Sequence, residues 1–355
     1  MIMRVGRMVL GVMVASVVSV GGFAAVSAAT AVAAPGGIFS IFADCPLAAF
    51  RTLGVEAVAL CGFRQVTSGE LTIGSIDVPI DQTITFQGGF VWTGNPELKR
   101  EFFAYPAEGG ESLSKTELEV PGGLRSVIDC RAIEGKGVQE RLERDECRAF
   151  SSYGKAGGVT ATIESVAGPE DLSIFNEHAF GSETGTALTL PIRVHLKNPF
   201  LGDSCYVGSE TNPLQLNLTT GTTSPPAGVA SIHGALGNLE TQEEGELSTL
   251  RISGNSLVDN TFTAPGVEGC GETASSILDP IVDSKIGLPS QAGHNAIVLT
   301  GTADAAAAET VETNEKLQAE TEAKKQQEEA EAKKKREEAE HERRHGRGHH
   351  RHRGR

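Results

Sequence analysis

Aromatic side chains are scarce in this chain of 355 residues: one Trp, three Tyr and fourteen Phe make up 5% of it. Carbohydrate-binding β-sandwiches stack exposed rings on sugars, so this scarcity leaves one candidate for such a role, Trp92 beside Gly94-Asn95-Pro96. Its neighbours Phe86, Phe90, Phe102, Phe103 and Tyr105 read as core. No G-x-S-x-G run is present, which removes the nucleophile elbow. The body has no C-x2-C pair and no Cys/His pair at ligand spacing, which argues against a structural zinc site. A D-x-D-x-D-G loop is also missing, so calcium binding of the EF-hand type is excluded.

Long apolar runs are confined to the start. Arg4 and Arg7 precede the apolar stretch from Met8 to Val20, and small residues follow in "FAAVSAATAVAAPGG". A short basic region, a short apolar region and an A-x-A-like site define a secretory signal peptide over residues 1–33, with Ala28 and Ala29 as alternative cleavage points. No stop-transfer charges follow, so no transmembrane anchor is expected in the mature chain. Export places the protein in an oxidising compartment, secreted or associated with the cell wall.

The six cysteines, Cys45, Cys61, Cys130, Cys147, Cys205 and Cys270, all lie beyond the leader. An even count in an exported chain reads as disulfides. Fifteen connectivities are open to six cysteines, and the sequential one is expected: Cys45–Cys61, Cys130–Cys147 and Cys205–Cys270.

Charge is distributed unevenly. The formal total is −15, with +2 in the leader, −4 over 309–340 and +5 over 341–355, leaving −18 on residues 34–308. So acidic a body repels nucleic acid and anionic lipid; only the last fifteen residues attract them.

The body has period-two patterning. In "ALTLPIRVHLKN", Leu188, Leu190, Ile192, Val194 and Leu196 face one way; Thr189, Arg193, His195 and Lys197 face the other. Val159, Ala161 and Ile163 repeat the pattern, as do Leu214, Leu216 and Leu218, and Leu250 with Ile252. Leu71 and Ile73 shift phase after Gly74 to Ile76, Val78 and Ile80, marking a turn or bulge at Gly74-Ser75. One apolar and one wet face per strand mean antiparallel pairing over a core. The expected fold is all-β, an antiparallel β-sandwich or barrel-like body over 34–304, with a weak sub-boundary near residue 157. Two segments depart from it: "GKGVQERLERDECRAF" suits a short helix, and "ASSILDPIVDSKIGLPS" a Pro-interrupted helical or looped connection.

From 305 to 340 the composition collapses to Ala, Glu, Lys, Gln and Arg. Acid-first (i, i+4) pairs recur as Glu312–Lys316, Glu320–Lys324, Glu329–Lys333 and Glu331–Lys335. The bulky seam of a coiled coil is missing, so a single charged helix or a linker is expected. Residues 341–355, "HERRHGRGHHRHRGR", form a basic, disordered tail. His345, His349, His350 and His352 are its candidate ligands for weak divalent-metal binding, and its arginines suit anionic cell-wall polymer. No cofactor is otherwise implied.

Gly202-Asp203-Ser204 matches the triplet that opens the nucleophile block of GDSL-type esterases. Those enzymes place it near the N-terminus of an α/β fold and complete the triad with D-x-x-H. None of His178, His195, His233 and His294 has Asp three residues earlier, so the triplet is a chance match in a stapled loop. A hydrolase would need these histidines to converge with carboxylates in space.

Four segments carry a resemblance: "TSGELTIGSIDVPIDQTITFQGGF", "TALTLPIRVHLKNPFLGDSCYVGSETNPLQLNLTTGTTSPP", "ISGNSLVDNTFTAPGVEGCG" and "ILDPIVDSKIGLPSQAGHNAIVLTGT". They are similar to a group of uncharacterised exported proteins of actinobacteria. The resemblance implies no activity; it implies that Cys205 and Cys270 belong to a shared scaffold. The function expected is that of a secreted, non-enzymatic envelope-associated structural or binding protein.

Overall fold

The computed structural model describes residues 34–53, 58–92, 101–152, 157–166 and 174–349. A 3-10 turn over Gly37–Phe42 and the one-turn helix α1 (Leu47–Phe50) lead into β1 (Val58–Ile73), β2 (Ile76–Pro79), β3 (Ile84–Trp92), β4 (Glu101–Pro106) and β5 (Glu117–Glu119). Helices α2 (Leu124–Val127) and α3 (Val138–Ser152) follow, then β6 (Thr160–Ser165), β7 (Ile174–Asn176) and α4 (Glu177–Ser182). Next come β8 (Leu188–Lys197), β9 (Tyr206–Val207), β10 (Leu214–Leu218), β11 (Asn238–Glu244), β12 (Leu247–Asp259) and β13 (Val267–Glu268). The chain closes with α5 (Ser275–Ile286), β14 (Asn295–Ala307) and α6 (Ala308–His349).

The described strands pair antiparallel in one sheet, with main order β11-β12-β14-β1-β3-β4-β7-β8-β6-β5. Strand β10 pairs with β8, and the next residue, Thr219, exchanges both backbone hydrogen bonds with Val258 of β12. The hydrogen-bonded path β12-β14-β1-β3-β4-β7-β8-β10 therefore returns to β12. Strands before and after Gly157 are partners in this sheet: β4 pairs with β7, and β5 with β6.

The strand-rich expectation holds, but all-β is too narrow. The charged segment of 15 residues is helix α3, pinned by Cys130–Cys147. Segment 275–286 is helix α5, with Pro280 inside and Gly287 in the left-handed conformation at its end. Asn176 starts α4 by accepting a hydrogen bond from the Ala179 N–H at 2.9 Å. The C-terminal helix is 42 residues, about 63 Å long at 1.5 Å per residue.

Two hydrophobic clusters lie in the body. The larger one gathers the inward residues of β8 and β10, Leu188 to Leu196 and Leu214 to Leu218, with Leu71, Ile73, Ile76 and Val78. Gly74 takes a φ of +57° in the two-residue turn between β1 and β2, which explains the phase change there. The second cluster is Phe39, Phe42, Leu47, Phe50, Cys61, Val91, Ala306, Ala308 and Val311. It buries the N-terminal segment and the first turns of α6 together, and Cys45–Cys61 ties that segment to β1. The disulfides pair sequentially, with Cys130–Cys147 and Cys205–Cys270 completing the set. In the chain-entropy model each short loop is worth about 3 kcal/mol and the long one about 4.

Leu250 and Ile252 correct the periodicity reading: they do not enter the core. Leu250 is 46% exposed and Ile252 half-buried. Leu250 and Ile252 share a face with Asn255 and Leu257, opposite Ala305, Ala303, Gly301 and Leu299 of β14; the bulge between Ser253 and Asn255 moves that face from even to odd positions, and only the part beyond it is buried. Strand β1 carries a matching bulge between Val66 and Ser68. Both bulges border Gly301 of β14, which is opposite Val66 on one side and Asn255 on the other.

A Cβ at Gly301 would fall on the carbonyl oxygen of Gln65, a backbone atom with no freedom to move aside. Gly301→Ala is accordingly expected to lower the unfolding free energy by about 2–3 kcal/mol, measured as a reduced urea midpoint at unchanged m-value. A midpoint equal to the parent's would remove Gly301 from this role.

Candidate functional site

The paired bulges bring one cation into the apolar interior. Ahead of its bulge β1 presents Arg64 and Val66 inward, with Cys61 and Phe63 on the opposite cluster. Arg64 is 8% exposed. Its Nη1 donates to Oδ1 of Asn255, the residue that the β12 bulge turns inward. Nη2 donates to the Leu299 carbonyl at 2.8 Å. Asn255 is held in turn: its Nδ2 donates to the carbonyls of Ala235 at 3.1 Å and Leu236 at 3.0 Å. The Nε of Arg64 is buried and has no hydrogen-bond partner among the described residues.

Arg64 borders a cavity of about 40 Å³ and is the sole polar residue in its lining. The walls include Val66, Phe86, Ile163, Leu216, Leu218 and Ile297. No carboxylate among the described residues pairs with Arg64. Desolvation pulls the guanidinium down to about 10, which leaves it cationic at neutral pH. The shift corresponds to a cost of about 3 kcal/mol for keeping the charge inside. Neutral acceptors offset part of it; a counter-ion would offset more.

The other sequence candidates fall elsewhere. Ser204 donates to the Gly269 carbonyl at 3.0 Å, and Cys205 next to it is bonded to Cys270. Gly202-Asp203-Ser204 is a stapled connector. His178, His233 and His294 are exposed on separate segments, and His233 Nδ1 shares a hydrogen bond with the Thr222 hydroxyl at 2.8 Å. Trp92 is half-buried at the end of β3, opposite Val58. Around it, Phe90 packs on Phe175 at 5.3 Å and Phe50 on Tyr105 at 5.8 Å. His345 and His349 fall on the last turns of α6, while His350 and His352 lie outside the described residues.

His195 differs from the reading of its strand as half wet: it is buried at 6% exposure. Tyr206, its partner across β9, stacks on the imidazole at 4.2 Å and receives the Arg193 guanidinium on its ring at 4.3 Å. Glu164 joins the group, 2.9 Å from Arg193 and 3.4 Å from His195. The aromatic lid and the shared carboxylate cover a position that alternation alone assigns to solvent.

No family model matches the chain, and neither a curated protein nor a solved structure resembles it at a significant level. The site therefore stands on its own chemistry. Arg64 escaped the sequence reading because the clear apolar phase, Leu71 and Ile73, lies beyond the bulge and projects Arg64 outward. The available signal was Val66, two residues on and in phase with Arg64.

Three carboxyls on the same body are raised by burial. Asp259 accepts from the N–H groups of Asn217 and Thr261 and from the Thr261 hydroxyl; Asp279 and Asp283 accept from the backbone of Gly269, Cys270 and Val267. Desolvation outweighs those bonds in each case. Such groups bind protons more readily folded than unfolded. Their stabilising contribution is complete below the unfolded value and is lost as pH rises through the folded one. Lowering pH from 7 to 5 is thus expected to hold or raise the thermal midpoint, and a fall over that interval would contradict the assignment.

Arg64→Met is expected to unfold within about 1 kcal/mol of the parent by urea titration, since relief of the buried charge offsets the lost bonds to Asn255 and Leu299. A loss of 3 kcal/mol or more would make Arg64 a structural strut.

Proposed function

We propose that this is an exported, non-enzymatic binding protein held at the cell envelope, its acidic body carried on a helical spacer and its basic end attached to anionic wall polymer. The observation that carries this reading is the form of α6. Its first turns bury Ala308, Val311, Asn314 and Glu315 against the body. Asn314 accepts the Gly36 N–H at 2.8 Å, and Glu312 pairs with Arg51 at 3.2 Å. From Ala319 through His341 the described side chains are exposed.

A helix anchored at one end and wet thereafter is a spacer, and its charges suit that task. Glu312 pairs with Lys316 at 3.4 Å, while Lys333 and Lys334 reach forward to Glu337 and Glu338 at 4.0 and 3.9 Å. Each such exposed pair adds only a few tenths of a kcal/mol, so the helix persists through many weak contacts. In this reading the spacer separates the basic end from an acidic body that would otherwise compete with the anionic polymer for its positive charge. Three disulfides suit an oxidising compartment. No described helix is long and apolar enough to cross a membrane.

Within this reading the closed hydrogen-bonded path is a barrel-like body, and the protein joins the exported actinobacterial group that its sequence resembles. The hydrolase alternative requires an imidazole beside a nucleophile or a water-activating carboxylate. The pair His195 and Glu164 is the nearest approach to that, and Tyr206 stacks over it. Metal capture by the tail remains a separate use of the same fifteen residues.

Deleting residues 341–355 is expected to release the protein from isolated cell walls, and salt near 1 M to release the full-length form, as short-range screening requires. Equal retention of the two forms at low salt would refute the tether.

A further inference from the structure

On a strongly acidic body, the region between α2 and the end of α3 gathers positive charge. Cys130 and Cys147 are each followed by an arginine, Arg131 and Arg148, and their disulfide holds the two cysteine Cα atoms 5.6 Å apart. The staple therefore brings together two cationic positions that repel one another. Arg125 of α2 and Lys285 in the last turn of α5 border the same open groove, which has a volume of about 460 Å³. Asp129 is the single carboxylate in its lining.

The partners these cations already have hold them feebly. Arg131 lies 3.6 Å from Asp129 and Arg148 3.9 Å from Asp145, and all four side chains are more than half exposed. Arg125 donates Nε to the Ser151 carbonyl at 3.1 Å, which orients its fork and leaves both terminal nitrogens without a partner among the described residues. Lys285 makes no ion pair among the described residues.

Four cations from four separate segments define the complementary group. A carboxylate is planar and is satisfied by one or two forks. A phosphate presents three oxygens in different directions and carries up to two charges. The groove is larger than a phosphate ion and falls in the range of small-molecule sites, so an organic part has space beside the charge. Ser151 and Ser152 give that part a polar wall. We propose that this groove binds a phosphate monoester of a small polar molecule such as a sugar, the phosphate among Arg131, Arg148 and Lys285 and the remainder along the two serines. The site is on the body and goes beyond the attachment through residues 341–355, on which it does not rest.

The test uses the full-length oxidised protein and glucose 6-phosphate as the probe, by isothermal titration at low, constant ionic strength. Glucose 6-phosphate is expected to bind one to one, and glucose not at all. Arg131→Gln and Lys285→Gln replace exposed side chains; each is expected to weaken binding about fivefold, and the pair about twentyfold. Lys115→Gln, which removes an exposed cation elsewhere on the body, is expected to leave binding unchanged.

Glucose 6-phosphate binding that survives the double replacement belongs to the basic tail and would overturn the proposal. So would an absence of binding up to about 20 mM, or an equal loss in Lys115→Gln. Retention on cell walls is measured separately by the tail deletion, so failure of the groove leaves the tether standing and failure of the tether leaves the groove standing.

Discussion

Gly301 is the position through which the interior is organised. It lies in the middle of β14, with a bulge on β1 to one side and a bulge on β12 to the other. A side chain there would occupy the space of the Gln65 carbonyl. Glycine allows the three backbones to close up, and each bulge then shifts the inward-facing positions of its strand from even to odd numbers. On β1 the face that carries Arg64 and Val66 ahead of the bulge is continued by Leu71 and Ile73 beyond it. The outer half of β1 contributes Cys61 to the cluster under the N-terminal segment, while the inner half contributes Leu71 and Ile73 to the main core.

The buried polar groups follow from this geometry. Arg64 and Asn255 face one another because each precedes or follows a bulge at the same level of β14, and Asn255 is fixed by two further carbonyls. Asn295 plays a comparable part at the other end of β14, donating to Phe262 and Gln291 and accepting from Gly74. Such groups cost free energy unless satisfied, so a network that leaves one guanidinium nitrogen without a partner among the described residues differs from its surroundings. The body as a whole is strongly acidic, yet its carboxylates lie elsewhere. The charge imbalance of the interior is local.

Much of the framework was legible beforehand. Apolar alternation located β6, β8 and β10, and the even cysteine count led to the expectation of sequential staples. The alanine- and glutamate-rich segment anticipated α6, and the charged run before Cys147 anticipated α3. The candidate site was not legible. A polar residue two positions from Val66 carries little weight when the phase of the strand is taken from Leu71 and Ile73. Leu250 and Ile252 share the inward face of β12 but lie at the end of the strand that the core does not cover. His195 was misread for another reason: its cover comes from Tyr206, eleven residues along the chain.

By itself, the sequence determined the even set of six cysteines, the two-faced strands and the sign of charge on body and tail, because each depends on local composition or on periodicity within one element. Tertiary structure decided where the inward phase of β1 and β12 shifts, which strands close the hydrogen-bonded path, and that Arg64 is buried against Asn255. These depend on register between strands distant in the chain, and register is set by where backbones approach closely enough to force a bulge.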